Sequence, residues 1–243
     1  MSNILSAYRK KMLQKILRNR DLQPSVLKHL SVPERLNLDT PLSEAVYIVF
    51  DTELTGLNLK KDSLVSIGAL KMFGKRIEIG STYYRVIAPE TELTGKSVII
   101  HGITPSEASV CPTIGKLLPE FLDFCADGVL VGHFVAIDLA FINKEMERLF
   151  GFPIQSPSLD TQMLYSWIRR REEQTCAFHA GIQEKVDLFT LAQKYSIQVS
   201  DAHNALNDAF VTAQLFQRFI QAMGKYGIHS LRDLLGTGRP RII

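Results

Sequence analysis

The stretch Val46–Asn58, VYIVFDTELTGLN, constrains the fold of this chain more than any other segment. Its first five residues are nearly all apolar, which is typical of a strand buried on both faces of a sheet. The strand then runs into Asp51 and Glu53. Side chains alternate faces along a strand, so the two carboxylates point the same way, roughly 6–7 Å apart. Two like charges at that separation are unfavourable unless something positive lies between them.

Three interpretations of this pair are open from these residues alone. The first is a turn or helix cap after the strand, since Asp51 can cap and Thr55-Gly56 is typical of a turn. The second is a site for a divalent metal ion held between the carboxylates. The third is the acid and nucleophile pair of a glycosidase.

Composition limits the class of protein. The chain has 243 residues, 46% apolar and 22% charged, which suits one large α/β domain or a domain with an appendage. The net charge of +3 says little about partners. The 3 cysteines are scattered without a CxxC pair, which favours a reducing compartment, and we expect a cytoplasmic protein. No long apolar run occurs, so no membrane association is expected.

The N-terminal part differs from the rest. Met1–Leu30 carries seven Lys and Arg side chains against one acid. Asn3–Asp21 has apolar residues at helical spacing, which predicts a basic amphipathic helix, and the prolines of Gln23–Ala45 predict a linker. We therefore divide the chain into an extension (1–45) and a domain (46–243). The basic segment is expected to bind phosphate groups or a partner; a helix that only packs on the domain and an organelle transit peptide are the alternatives.

Hydrophobic periodicity predicts a run of strands followed by helices. The predicted strands are Val46–Asp51, Leu64–Phe73, Ser81–Ile87 and Gly128–Phe134. The predicted helices are Thr113–Ala126, Ile137–Phe150, Asp160–Arg170, Asp187–Tyr195, His203–Met223 and Ser230–Leu235. Short turns join the first three strands, which indicates an antiparallel meander. This order of elements predicts an α/β fold with a mixed sheet flanked by helices.

Two of these helices carry an acid beside their apolar stripe. Asp138 lies near the start of one, where the helix dipole alone would favour it. Asp208 lies at the edge of the stripe on the helix predicted over His203–Met223. On one ideal helix His203 and Asp208 would point about 140° apart, so they share a site only if His203 lies at or before the helix start. A histidine near a helix start with no role in chemistry is the alternative.

Four acids in three widely spaced segments thus lie against apolar surface: Asp51, Glu53, Asp138 and Asp208. Buried acids are rare unless they are paired or bound to metal. Oxygen ligands without cysteine and with few histidines suit Mg²⁺ or Mn²⁺ and not zinc. Several carboxylates with one histidine is also what two-metal hydrolysis of a phosphodiester requires.

Three segments resemble the motifs of the DEDDh exonucleases. FDTELTGL resembles the first motif, usually DTETTGL, VGHFVAIDLAFI resembles the second, and HNALNDAFVTAQLF resembles the third. IIHGIT and LDTQML stand where the family has auxiliary motifs. The matching segment spans roughly Val46–Ala222. It resembles above all the DnaQ-like group, which includes the proofreading epsilon subunit of DNA polymerase III. The resemblance implies a ribonuclease-H-like fold with a mixed five-stranded sheet.

The resemblance also implies a role for each matching residue. Asp51, Glu53, Asp138 and Asp208 would hold two divalent cations, Mg²⁺ or Mn²⁺, and His203 would be the general base. The residues implied to line the terminal nucleotide are Thr52, Leu54, Gly56 and His101.

Two positions depart from the family pattern. Leu54 stands where the first motif usually has threonine, and Phe134 stands where asparagine usually follows the histidine of the second. Neither is a ligand position, so we expect the chemistry to survive. Contacts to the 3′ nucleotide are expected to differ, with Phe134 stacking on a base.

The implied activity is that of a 3′-5′ exonuclease that releases nucleoside 5′-monophosphates from single-stranded 3′ ends. DNA is the expected substrate, in proofreading or repair, together with a polymerase or other replication or repair partner. RNA trimming within the same family and a catalytically inactive nucleic-acid-binding module are the alternatives. The glycosidase interpretation leaves Asp138 and Asp208 unexplained, and the chain has too few strand–helix repeats for a (β/α)₈ barrel.

Overall fold

One mixed sheet organises the part of the chain that the computed structural model describes, residues 22–175 and 186–240. Within these residues five strands pair in the order β3-β2-β1-β4-β5. β1 pairs antiparallel with β2 and β2 with β3, whereas β1, β4 and β5 run parallel. The strands are β1 (Val46–Leu54), β2 (Leu64–Phe73), β3 (Arg76–Val86), β4 (Val129–Gly132) and β5 (Ser158–Asp160). The predicted mixed five-stranded sheet and its antiparallel meander are confirmed.

Helices connect and cover the strands. Along the described residues they are α1 (Pro24–Leu30), α2 (Val32–Arg35), α3 (Gly95–His101), α4 (Pro105–Ser109), α5 (Ile114–Cys125), α6 (Ala136–Phe150), α7 (Thr161–Thr175), α8 (Leu188–Lys194), α9 (Ala205–Gly224) and α10 (Leu231–Gly238). None of them is long and apolar enough to cross a membrane.

Two apolar layers bury the two faces of the sheet. Tyr47 and Val49 of β1 point into a layer that contains residues of α7, α8, α9 and α10. Ile48 and Phe50 point into the other layer, with α1, α5 and α6. All four side chains are fully buried, which explains why the strand shows no polar alternation.

The same alternation decides where the polar end of β1 points. Asp51 and Glu53 lie on the same face of β1 as Tyr47 and point toward α9. Thr52 lies on the same face as Ile48 and points toward α6. The strand that builds the core therefore also delivers two carboxylates to one face of the sheet.

The prediction of a linker over Gln23–Ala45 is wrong for the residues that are described. Pro24 and Pro33 lie in the first turns of α1 and α2, where the missing backbone N–H is not needed. Val26 and Val32 are fully buried, and Val26 belongs to the layer around α5. The basic helix predicted over Asn3–Asp21 lies outside the described residues, and the division of the chain at residue 45 stays a prediction.

Besides α1 and α2, three short elements were not predicted, namely α3, α4 and β5. α3 and α4 have 7 and 5 residues, too few for their apolar residues to show a helical period. Thr104 and Glu107 form a capping box at the start of α4 and Pro105 follows the cap, two local signals that would have indicated the helix. Asp160 was predicted to begin a helix but ends β5, and α7 begins one residue later.

The packing of α1 gives a direct test of its place in the core. Leu30→Ala is expected to lower the free energy of unfolding by about 2–5 kcal/mol, because the side chain is buried against the α5 layer. Leu27→Ala on the same helix is the matched control, since Leu27 is 40% exposed, and it should cost at most about 1 kcal/mol. Urea denaturation measures both; equal and small losses would contradict the packing of α1.

Candidate metal and nuclease site

The predicted acids meet at the carboxyl edge of the parallel strands. Asp51 and Glu53 lie near the end of β1, Asp138 lies in the first turn of α6 just after β4, and Asp208 lies in the first turn of α9. A cleft of about 330 Å³ opens at this edge, and the four acids line it together with His203. The ends of parallel strands are where open α/β sheets ordinarily bind ligands.

Three of the four carboxylates can reach a single ion. One oxygen from each of Asp51, Glu53 and Asp208 lies within 4.8 Å of the others. The first two come from alternate positions of β1, and α9 brings the third to the same face. Like charges this close repel one another, so the arrangement favours a bound positive charge.

Asp138 reaches this group from the opposite face of β1. The backbone N–H and the hydroxyl of Thr52 both donate to Asp138 Oδ1, at 3.1 and 2.5 Å. Among the charged neighbours of Asp51, Asp138 raises the pKa of Asp51 most. Thr52 was predicted to line the terminal nucleotide; it does line the cleft, but its hydroxyl is engaged in holding Asp138.

Burial and mutual repulsion raise the pKa values of these acids. Burial raises the pKa of Asp51 well above its usual range, and the charges of Asp138, Asp208 and Glu53 raise it further. Burial, with repulsion from Asp208 and Asp138, raises the pKa of Glu53 to about 8. Burial raises the pKa of Asp208 to about 7, and it raises the pKa of Asp138 against the opposing hydrogen bonds from Thr52.

One buried oxygen indicates that the group fits a cation. Asp208 Oδ1 is buried and has no hydrogen-bond partner among the described residues, whereas its Oδ2 accepts the backbone N–H of His203 at 3.3 Å. An acceptor left without a donor in a cleft is expensive unless an ion or water completes it. The three clustered groups are all carboxylates, the ligand type that hard divalent cations prefer.

His203 lies before the start of α9, which is the condition for it to share the cleft with Asp208. Asn204 is the N-cap, and its side-chain oxygen accepts the N–H groups of Leu206 and Asn207. The backbone of His203 is left-handed, with φ +64°, which is uncommon for a residue other than glycine. The turn leaves the imidazole exposed at the cleft, edge-on to the ring of Phe189 with centroids 5.1 Å apart.

The other predicted nucleotide contacts divide into two groups. Leu54 and Phe134 line the cleft, whereas Gly56 and His101 are not among its lining residues. A Cβ on Gly56 would lie 2.5 Å from a carboxylate oxygen of Asp62, so this glycine leaves room for a carboxylate that accepts the N–H of Asn58, at 2.7 Å, within the loop after β1.

The two remaining histidines of the motifs are tied into the fold. His101 Nδ1 accepts the N–H of Ile103 at 3.1 Å, and its Nε2 is buried without a partner among the described residues. Both ring nitrogens of His133 are engaged, with Thr161 Oγ1 at 2.8 Å and the carbonyl of Val186 at 2.9 Å. His133 therefore has no free nitrogen for proton transfer.

Sequence reasoning missed the apolar walls of the cleft. Leu57, Ile137, Leu188 and Phe189 line it in addition to the predicted residues. Leu57 lies within the first motif and is 76% exposed. The sequence shows that this side chain is apolar but not that it lies at the cleft. Phe189 comes from α8, and no local signal connects that helix with the motifs.

The comparisons with known proteins agree with this geometry. Residues 48–216 match the RNase_T family, described as Exonuclease. The chain is 31% identical over 203 residues to the PolC-type DNA polymerase III of Thermotoga maritima, covering 84% of this chain but only 14% of that protein. It is 30% identical over 208 residues to the DNA polymerase III subunit epsilon of Aquifex aeolicus, covering 84% of this chain and 96% of that subunit.

Solved structures share the fold at low sequence identity. E. coli exonuclease I in complex with a dT13 oligonucleotide has a TM-score of 0.64 and 16% identity, covering 76% of this chain and 43% of that one. Exonuclease X in complex with 5′ overhanging duplex DNA has a TM-score of 0.54 and 20% identity, covering 79% and 99%.

The raised carboxyl pKa values predict a pH effect on stability in EDTA. Glu53, with pKa about 8, and Asp208, with pKa about 7, hold protons when folded that the unfolded chain releases near pH 4. The folded state therefore binds more protons than the unfolded state, and the free energy of unfolding falls as pH rises from 6.5 to 8.5, by on the order of 2 kcal/mol. Thermal melts or urea denaturation across this range measure the fall.

The range from pH 6.5 to 8.5 avoids an opposing effect of the buried histidines on the free energy of unfolding. Burial lowers the pKa values of His29 and His133 to about 4, so their effect on stability is confined to the region below pH 6.5. Glu53→Gln, which cannot ionise, should flatten the slope, and added Mg²⁺ should stabilise the protein more at pH 8.5 than at 6.5. A flat profile for the unaltered protein in EDTA would contradict the burial of these carboxyls.

Proposed function

This chain belongs to the RNase_T family of exonucleases, in its DnaQ-like 3′-5′ group, and we propose that it removes nucleoside 5′-monophosphates from the 3′ ends of single-stranded DNA. The proposal includes two divalent cations, Mg²⁺ or Mn²⁺, held by Asp51, Glu53, Asp138 and Asp208. The chain spans 14% of the length of the PolC-type polymerase it matches, so polymerisation itself is not part of the proposal.

One observation carries the proposal: three carboxylates within 4.8 Å of one another share a cleft with a fourth acid and a histidine. Structural ion pairs would bring a basic side chain to such a group, but no Lys or Arg lines this cleft in the described residues. The raised pKa values mean that, near neutral pH, a bound positive charge favours the ionised form of these acids.

The chain's own residues divide the work of hydrolysis. Bound cations would supply charge neutralisation at the phosphodiester and an acidified water. Asp51, Glu53 and Asp208 would bind the cations, and two hydrogen bonds from Thr52 hold Asp138 beside them. His203, exposed at the mouth, takes the proton of the attacking water through a ring nitrogen.

The apolar walls suit a base or sugar more than a charged ligand. Leu54, Leu57 and Ile137 stand near the acids, and Phe134 and Phe189 contribute aromatic rings. Aromatic and apolar surfaces hold bases of any sequence by stacking, which suits an enzyme that must accept each nucleotide in turn. A cleft of about 330 Å³ is of the size that encloses a small ligand.

DNA is preferred over RNA as the substrate because of the relatives. The T. maritima and A. aeolicus proteins are named as DNA polymerase III components, and the E. coli structure holds a dT13 oligonucleotide. A replicative polymerase is the corresponding partner in our proposal. The cytoplasmic location expected from the sequence is retained as part of it; Cys111 and Cys125 are both free thiols.

Digestion of end-labelled oligonucleotides tests the activity and its polarity. With Mg²⁺ or Mn²⁺, a 5′-labelled single strand of DNA should shorten as a ladder, an RNA of the same sequence should be cut more slowly, and EDTA should stop both. Asp208→Asn is the matched inactive variant. Immediate release of the 5′ label, cutting of a circular strand, or full activity in EDTA would refute the proposal, and faster cutting of RNA would move it to RNA trimming.

The role of His203 has its own test. His203→Asn is the suitable variant, because asparagine tolerates the left-handed backbone that this position adopts. Turnover should fall by about 10²–10⁴-fold, the usual contribution of a positioned general base. His133→Asn is a control that should lower stability, whereas near-normal turnover in folded His203→Asn would reject the assignment.

A further inference from the structure

A glycine of the central sheet lies directly under the first turn of α9. Gly68 is in β2, where its Cα pairs with Asp51 on one side and Tyr84 on the other. A Cβ built on Gly68 would lie 2.2 Å from the backbone nitrogen of Leu206 and 2.3 and 2.5 Å from the carbonyl carbon and oxygen of Ala205.

Backbone conformation does not explain the glycine. Gly68 is not among the residues with positive φ, and its pairing with β1 and β3 is regular at this point. The missing side chain therefore allows close approach of another backbone, one of the uses of glycine within a strand. All three nearest atoms belong to the backbone of a helix, so no rotation of a side chain could relieve a clash.

The turn that rests on Gly68 carries two residues of the proposed site. The nitrogen of Leu206 also donates to the N-cap oxygen of Asn204, and Asp208 N donates to Asn204 O at 2.9 Å. His203 precedes this cap, and its N–H donates to Asp208 Oδ2. Any displacement of the turn therefore moves Asp208 and His203 together relative to Asp51.

We propose that Gly68 is a positioning residue of the metal site, which seats the first turn of α9 against β2 so that Asp208 meets Asp51 and Glu53. A methyl group at Gly68 would force the turn outward by about 1.2 Å, from 2.2 Å to an ordinary contact of 3.4 Å. Mg²⁺ requires near-ideal ligand distances, and misplacement by about 1 Å costs on the order of 10²-fold in rate. The inference rests on the proposed function both for the bound cation and for its catalytic part.

Metal binding by itself provides a readout that does not depend on activity. Mg²⁺, or Ca²⁺, is titrated into the folded protein at one temperature, and isothermal titration calorimetry gives the Mg²⁺ midpoint, the free concentration at which half of the sites are filled. Gly68→Ala should raise the Mg²⁺ midpoint at least about 10-fold, and turnover should fall by about 10²-fold where activity is measurable. An unchanged Mg²⁺ midpoint in folded Gly68→Ala would overturn the proposal.

Two further glycine variants separate positioning from loss of stability. Gly128→Ala also creates a buried clash, 2.7 Å from Ile48 Cγ1, but it precedes β4 at the sheet edge opposite the acids. Gly80→Ala on β3 meets nothing within 4 Å. Both should keep the Mg²⁺ midpoint of the unaltered protein, even where Gly128→Ala lowers the melting temperature. An equal rise of the midpoint in Gly128→Ala would show a general effect of destabilisation and overturn the proposal.

A second perturbation covers the case in which Gly68→Ala does not fold. Asn204→Ala loosens the same turn by removing its cap, and it should raise the Mg²⁺ midpoint several-fold, whereas Ser230→Ala removes the cap of α10 and should not. An unchanged midpoint in Asn204→Ala would then overturn the proposal. Mg²⁺ binding without any nuclease activity in the unaltered protein would refute the proposed function. The Mg²⁺ midpoints of the variants would still decide the positioning role of Gly68.

Discussion

Repulsion among four carboxylates at one edge of the sheet is the interaction on which the rest of the structure depends. Asp51, Glu53, Asp138 and Asp208 are brought close together by β1, α6 and α9, which pack against one another through the core. Burial raises the pKa values of Glu53 and Asp208 to about 8 and about 7, and neutral carboxyls remove the repulsion at the cost of affinity for cations. The fold thus stores an electrostatic cost that a bound divalent ion would remove.

The architecture explains how so costly a group is kept in place. β1 is buried on both faces by apolar residues, and its last positions extend that alternation to the acids. Thr52 ties Asp138 to the strand from one face, while α9 rests on Gly68 from the other. Each acid is therefore placed by backbone and core packing, and none depends on a flexible loop alone.

The cleft combines this charged floor with apolar walls, and the two parts suit different portions of a nucleotide. In the proposed function, the carboxylates with bound cations contact the phosphodiester, and Leu57, Phe134 and Phe189 offer surfaces for a base or sugar. Phe134 departs from the asparagine usual in the second motif, yet it lines the cleft with its ring edge-on to His133. In the proposed function, the phenylalanine at this wall would change contacts with substrate, while the four acids and His203 still line the cleft.

Much of the fold and the main site residues could be predicted from the sequence, because their signals are local. The apolar run of β1 with its two acids, the periodic helices around Asp138 and Asp208, and the three motifs were all visible in the order of residues. Only the tertiary structure decided that Thr52 holds Asp138, that His133 is locked by two hydrogen bonds, and that α1 is part of the core. It also decided that a helix lies on Gly68 and that Phe189 meets His203. These relations join residues that are distant in the chain or that carry no periodic pattern, so they arise from packing, which acts on distances in space and leaves no local trace in sequence.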